Sequence, residues 1–274
     1  MPPTLLTLVP AAVATDAESA SGNNAWYIHH SARHAAELDE PSRRAGLAAA
    51  ALDCDFLIGQ LALATGDRLL EIGCGWGRHS LTLHQRGFHD LISVDIAPAM
   101  LSIARERAAL AGCAIDFRQR DFRTLGDRSP FDAILSPYDR SCLGYPTEAE
   151  DRRSLAFLHG LLRPGGRLFF GIGDWPVALP APRRDWREWD GAVELLETIP
   201  DAAEMICTDR TTVLDGAARR VYTLTRRHYG LPEVRGLLHE AGLGLEGAWH
   251  TLDARHPYGR EREGLFVLAR RGPG

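Results

Sequence analysis

Leu69-Leu70-Glu71-Ile72-Gly73-Cys74-Gly75-Trp76-Gly77 decides how this chain is read. A short apolar run with an embedded acid enters three glycines at alternate positions, and a helical pattern follows. Glycines at such a turn permit positive φ and let a ligand approach the backbone closely. A dinucleotide fingerprint, G-x-G-x-x-G, needs its third glycine where this chain has Arg78. Glu71 stands two residues before Gly73, where a carboxylate suits a cationic ligand better than a diphosphate. The stretch points away from a nicotinamide dinucleotide.

Outward from this turn, strand-like runs recur at Arg68–Ile72, Leu91–Asp95, Ala114–Gln119, Phe131–Ser136 and Arg167–Ile172, and again near 244–250 and 264–269. Helical spacing lies between them: Leu101, Ala104 and Ala108, then Leu155, Leu158 and Leu162, then Val234, Leu237, Leu238 and Ala241. Pro98 suits a first helical turn, Gly87 and Gly112 suit helix ends, and Pro164-Gly165-Gly166 stops a helix before a strand. Strands and helices alternating at this spacing predict an α/β, Rossmann-like, doubly wound and mostly parallel seven-stranded sheet.

Two regions break the rhythm. Residues 24–64 read as continuous helix, an N-terminal helical cap. Residues 174–230 hold Trp175, Trp186 and Trp189, then β-like runs at about 204–214 and 217–229 joined by Asp215-Gly216, a hairpin signal. The expected organisation is a flexible tail (1–22), the cap (23–66), a ligand-binding domain (67–173 and 231–274) and an inserted antiparallel β lid (174–230).

Hydrophobic residues at 45% and charged residues at 24% fit a globular chain with a substantial core. A net charge of −5 argues against a nucleic-acid partner, whose phosphates demand clustered cation. All 31 basic residues counted as Lys+Arg are arginines, which excludes Schiff-base chemistry and a P-loop lysine. Five cysteines without a C-x-x-C pair make a zinc ribbon or disulfide scaffold unexpected. The apolar run Leu5–Val13 is interrupted by Pro10 and lacks a basic flank, so neither a signal peptide nor a membrane span is expected. A cytoplasmic protein follows, without a membrane partner, as monomer or homodimer. No metal site is expected either: His30 and His34 share a helix face but lack a third ligand.

Asp95 ends the second strand-like run, where a carboxylate accepts ribose hydroxyls, and Asp121-Phe122 follows the third, where an acid and an apolar ring suit an adenine. With these residues the chain resembles class I S-adenosylmethionine-dependent methyltransferases, from about residue 43 to 270. Glu71-x-Gly73-x-Gly75-x-Gly77 is similar to their first motif, Leu91–Pro98 to the second, Arg120-Asp121-Phe122 to the adenine segment, and Leu161–Gly166 to the loop before the fifth strand. Asp174-Trp175 and Arg227–Glu233 resemble a bacterial small-molecule subgroup with an antiparallel insertion after the fifth strand. The resemblance implies S-adenosyl-L-methionine as cofactor and S-adenosyl-L-homocysteine as product. It assigns Glu71 to the methionine amine, Asp95 to the ribose and Asp121 with Phe122 to the adenine. It also places Gly73, Gly75, Gly77, Ile96, Met100 and Ser136 at the cofactor, with Arg44 on the methionine carboxylate.

Methyl transfer needs alignment and, for some acceptors, removal of a proton. Candidates for that chemistry are Tyr138 and Asp139, at the end of the fourth strand, and His228 after the hairpin. Asp139-Arg140 reads either as a local surface pair or as an amine anchor beside a clamp for an acidic substrate group. Trp175 and Tyr229 are substrate-facing candidates. Trp186 and Trp189 either core the lid or wall a pocket with Arg183, Arg184 and Arg187 at its mouth. The expectation is N- or O-methylation of a small-molecule metabolite, in biosynthesis of specialised products. Two alternatives stay open: an enzyme with the same cofactor that catalyses a cyclisation or elimination, and a non-catalytic binding subunit.

Overall fold

The computed structural model describes residues 23–126, 129–138, 141–172, 181–253, 258 and 264–273. The expected tail, 1–22, lies outside them. Strand β1 (Leu69–Ile72) is buried at every residue, which explains its unbroken apolar run apart from Glu71. It pairs in parallel with β2 (Leu91–Asp95) on one side and with β4 (Phe131–Ser136) on the other. Beyond β2 lies β3 (Asp116–Gln119), and beyond β4 lies β5 (Leu162–Gly171), both parallel.

Two later strands, β10 (Leu243–Trp249) and β11 (Phe266–Arg271), complete the sheet in the order β10-β11-β5-β4-β1-β2-β3. Strand β11 runs antiparallel to both its neighbours. The chain winds outward from β1 in one direction and then, from β4, in the other. The crevice between β1 and β4 is the switch point at which ligands enter such sheets.

Helices cover both faces: α3 (Arg78–Gln85), α4 (Pro98–Leu110), α5 (Glu148–Leu161) and α6 (Leu231–Glu240). Thr147 and Glu150 close a reciprocal capping box at the start of α5. Phe131, Phe169 and Phe170 are fully buried between the layers. The doubly wound sheet of seven strands is as the sequence predicts.

Three features differ from expectation. The cap is two helices, α1 (Asn23–Glu37) and α2 (Glu40–Leu61), because Asp39 accepts the Ser42 amide at 2.8 Å and Pro41 occupies the first turn. Strand β5 begins directly after α5, so Pro164-Gly165-Gly166 lies inside the strand, at a register shift opposite Phe131 and Ala133.

The inserted region holds four strands where two are expected. Hairpin β8 (Ile206–Asp215) and β9 (Ala218–Arg227) turns at Asp215-Gly216 as read, but β6 (Arg183–Trp189) and β7 (Ala192–Asp201) precede it. The sheet is fully antiparallel, in the order β6-β7-β8-β9. Among the described residues, no helix is long and apolar enough to cross a membrane.

Candidate active site

Past Ile72 the backbone takes positive φ at Gly73, Gly75 and Gly77, and Gly77 becomes the cap of α3. The three glycines serve different ends. A Cβ on Gly77 would lie 2.9 Å from the Phe117 ring and 3.1 Å from Ala104, so Gly77 allows the helix to pack closely. A Cβ on Gly75 would meet nothing within 4 Å, and Gly75 lines a cleft of about 250 Å³. Gly73 shares that cleft.

The same cleft takes Asp95 from the end of β2, Ile96 after it and Met100 from the first turn of α4, and Asp121 and Phe122 from the turn after β3. Asp95 Oδ2 accepts the Gly75 amide at 2.7 Å and Oδ1 the Ala97 amide at 2.8 Å. Burial lifts the Asp95 carboxyl above the usual carboxylate range, against the pull of these amides. Asp121 accepts from the Arg123 guanidinium, 2.6 Å away. Burial pushes Asp121 up, but its hydrogen bonds to Arg123 outweigh that and hold it low. Phe122 is buried beneath the cleft.

Glu71 is placed differently. Only 1% exposed, it accepts from the Ser80 hydroxyl and faces His79 Nδ1 at 3.3 Å. It lines an adjoining cavity of about 500 Å³ on the α2 side of the glycine turn, with Arg78, His79 and Tyr138. His79 Nε2 meets Asp53 Oδ2 at 3.0 Å, and the Tyr138 hydroxyl donates to Asp53 Oδ1 at 3.2 Å. Burial opposes a charge on His79, yet the two carboxylates outweigh it and raise its pKa. Tyr138, 53% exposed, lines both cavities.

Several expected site residues stand elsewhere. Arg44 is exposed and lines neither cavity; Ser42 and Gly46 of α2 face the second one, and a residue midway between them on a helix points away. Gly77 lines neither cavity, being spent on packing. Ser136 is fully buried in β4 and does not line the cleft. His228 is buried after β9, its amide donating to Met205 O at 2.8 Å, outside both cavities. The Tyr229 phenol donates to Asp151 Oδ2 at 2.8 Å.

Asp151 also accepts the amides of Gly144 and Tyr145, and these two residues do line the cleft. Tyr229 thus supports the cleft wall from behind. Trp186 is 63% exposed, while Arg183, Arg184 and Arg187 pair with Asp185, Glu197 and Glu194 inside the lid sheet. Trp186 and these arginines line neither cavity, whereas Trp189 is half-buried and meets His29 of α1 edge to face. Asp139, Arg140 and Trp175 lie outside the described residues.

The residues that sequence reasoning missed come mainly from α1. Asn24, Tyr27 and Ser31 recur at helical spacing and line the cleft, a polar stripe that the spacing could have revealed. Helix α1 also holds the four-stranded sheet, partly through Asn23, which lines the cleft as well. Asn23 exchanges two hydrogen bonds with the Thr225 backbone, His29 meets Glu194 at 2.6 Å, and His30 meets Thr211 at 3.1 Å. Burial, with Arg33 and His29 nearby, lowers the His30 pKa to about 3, so it is neutral. Among the described residues, no group of three or more His, Cys, Asp or Glu side chains is placed to hold a metal ion.

A glycine turn, an acid ending β2 and an acid–aromatic pair after β3 together form one cleft at the switch point. Residues 69–166 match the model of a methyltransferase domain family, and the fold is that of solved S-adenosylmethionine-dependent methyltransferases. Among sequence relatives, it is 34% identical over 109 residues to a ubiquinone biosynthesis O-methyltransferase of Xylella fastidiosa, covering 38% of this chain and 41% of that one. The chain spans less than half the length of the curated relatives it matches.

An S-adenosylmethionine-dependent methyltransferase of Clostridium acetobutylicum shares the fold at TM-score 0.64 and 18% identity, over 81% of this chain and 91% of that one. CalS10, an amino pentose methyltransferase of Micromonospora echinaspora solved with S-adenosylmethionine bound, aligns at TM-score 0.51 and 25% identity, over 80% and 89%.

Proposed function

We propose that this protein is an S-adenosylmethionine-dependent methyltransferase acting at nitrogen or oxygen of a small-molecule metabolite. The observation that carries the reading is the cleft shared by Gly75, Asp95, Asp121 and Phe122. Its residues fit the cofactor's parts. Gly75 leaves open space where a side chain would stand, and Asp95 is held by two amides with lone pairs left for a ribose diol. Phe122 offers an apolar floor beside Asp121 for a purine.

When bound, S-adenosylmethionine supplies a methyl carbon already activated by its sulfonium. The protein's task is then alignment, exclusion of water and handling of one proton. Tyr138, at the junction of the two cavities, is the hydroxyl that orients the acceptor. Asp139 and Arg140, the next residues in the chain, complete the proposal as base and as clamp for an acidic group. Helix α1 and the four-stranded lid close the cleft's open side, with Tyr27 lining it. The reading includes biosynthetic chemistry in the cytoplasm, by a monomer or homodimer, on a free metabolite and not on nucleic acid.

Calorimetry with S-adenosylmethionine, then assay of S-adenosylhomocysteine release with 3,4-dihydroxybenzoate and glucosamine, tests this. These acceptors represent the catechol and amino-sugar classes. Donor binding with one S-adenosylhomocysteine per methylated acceptor is the expected result. A chain that binds no donor, or that converts an acceptor without releasing S-adenosylhomocysteine, overturns it.

A further inference from the structure

His79 is a buried histidine whose two ring nitrogens each face a carboxylate: Nε2 lies 3.0 Å from Asp53 and Nδ1 3.3 Å from Glu71. A neutral imidazole has one N–H and can donate to only one of them; the imidazolium donates to both. With a neutral ring, the unprotonated nitrogen would point its lone pair at a buried carboxylate oxygen about 3 Å away, a repulsive contact that the second ring proton turns into a hydrogen bond. The three side chains come from α2, β1 and α3, so their contact ties the cap to the glycine turn.

The network has an outlet. The second oxygen of Asp53 accepts the Tyr138 hydroxyl at 3.2 Å, and the Tyr138 ring lies parallel to the His79 ring, 5.7 Å between centroids. The Arg78 guanidinium covers the Tyr138 ring at 4.6 Å. On the inner side, Glu71 accepts from Ser80, which shares a hydrogen bond with Ser93 at 2.9 Å. The charged or titratable groups around His79 are therefore Asp53 on α2, Glu71 on β1, Arg78 on α3 and Tyr138 after β4. The Cys54 thiol reaches its backbone carbonyl at 3.9 Å.

We infer that His79 is a positioning residue: an imidazolium held between Glu71 and Asp53 that fixes Asp53 as acceptor for Tyr138, and so turns the lone pairs of the Tyr138 oxygen toward the cleft. A phenol that donates to a carboxylate carries more charge on its oxygen and accepts a hydrogen bond more strongly. That oxygen then receives the N–H or O–H of the methyl acceptor and orients its lone pair. The inference deepens the methyl-transfer reading and rests on it for the acceptor, whereas the coupling of His79 to Tyr138 stands on geometry alone.

The test uses the full chain with S-adenosylhomocysteine as the probe. Calorimetry comes first, and failure of the wild-type protein to bind overturns the cofactor reading instead of this inference. Histidine ¹⁵N spectra of the free protein follow, with His79 assigned by its loss in His79→Gln. Both ring nitrogens should be protonated at about pH 7, where an ordinary imidazole is mostly neutral. Asp53→Asn should lower the titration midpoint by at least about one pH unit. Tyr138→Phe keeps the stacked ring and deletes only the hydroxyl, so a moved Nε2 resonance reports the shared carboxylate.

On the probe acceptor that the wild type methylates, Asp53→Asn should lower kcat about tenfold, with the KM for S-adenosylmethionine within about threefold. A His79 singly protonated at about pH 7 overturns the inference. A spectrum identical in Tyr138→Phe, or an unchanged kcat in Asp53→Asn, does so too.

Discussion

Asp95 Oδ2 accepts the backbone amide of Gly75 at 2.7 Å across twenty residues of sequence, joining the end of β2 to the turn that leaves β1. The acid that would hold a ribose is the same acid that holds the glycine turn. We predict that Asp95→Ala weakens S-adenosylhomocysteine binding by ~1–3 kcal/mol, since charged hydrogen bonds are lost on both sides. Isothermal calorimetry measures this; affinity equal to the wild type would remove Asp95 from the site.

Gly75 and Gly77 should separate when mutated. Both have positive φ, but only Gly77 has neighbours inside the reach of a Cβ. Gly77→Ala is expected to destabilise the fold by ~2–4 kcal/mol through strain and overpacking against Phe117. Gly75→Ala should cost ~1 kcal/mol of stability and a larger share of ligand affinity. Urea unfolding set beside calorimetry distinguishes them, and the opposite ordering of the two variants in stability would refute the assignment.

The clasp between α1 and the lid should weaken in acid. His30 is lowered from 6.5 to about 3, so the unfolded chain binds a proton that the folded chain refuses between those values. The sign follows directly: the contribution is complete above about pH 6.5 and is lost as pH falls toward about 3, at up to ~1.4 kcal/mol per pH unit. Glu194 acts in the same direction. Burial lifts it, but Arg187 and His29 hold it below its ordinary value, so its contribution is also lost on acidification. Urea midpoints at falling pH should drop, and His30→Gln should flatten the fall. A slope unchanged in that variant would count against His30.

Asp139 follows Tyr138 in the chain, and Tyr138 lines both cavities. If Asp139 takes the acceptor proton, Asp139→Asn should cut kcat by about 10²–10⁴-fold while leaving donor affinity nearly unchanged. Single-turnover assays with S-adenosylmethionine measure it, and equal turnover would discard the assignment.

How much was legible in the sequence depends on the range of the interaction. Strands β1, β2 and β4 were plain because they are buried on both faces, so their apolar runs are nearly continuous. Asp95 and Asp121 could be placed because strand ends in a parallel sheet converge on one edge. Strand β6 was missed because its sequence, Arg-Arg-Asp-Trp-Arg-Glu-Trp, belongs to an exposed edge strand whose charges hide any alternation. The Asp190-Gly191 turn after it carries the same signal as Asp215-Gly216, both with positive φ at glycine.

Arg44 looked suitable until helix phase put Ser42 and Gly46 on the cavity side. Tyr229 and Asp151 stand 78 residues apart, and His79 and Asp53 26 apart in different elements. No local pattern announces such pairs, because only the finished packing brings them together.

Helix α1 gives Tyr27 to the cleft and His29 to the four-stranded sheet at the same time. The sheet therefore cannot swing outward without dragging the Tyr27 wall along or first surrendering the Asn23 and His29 grips.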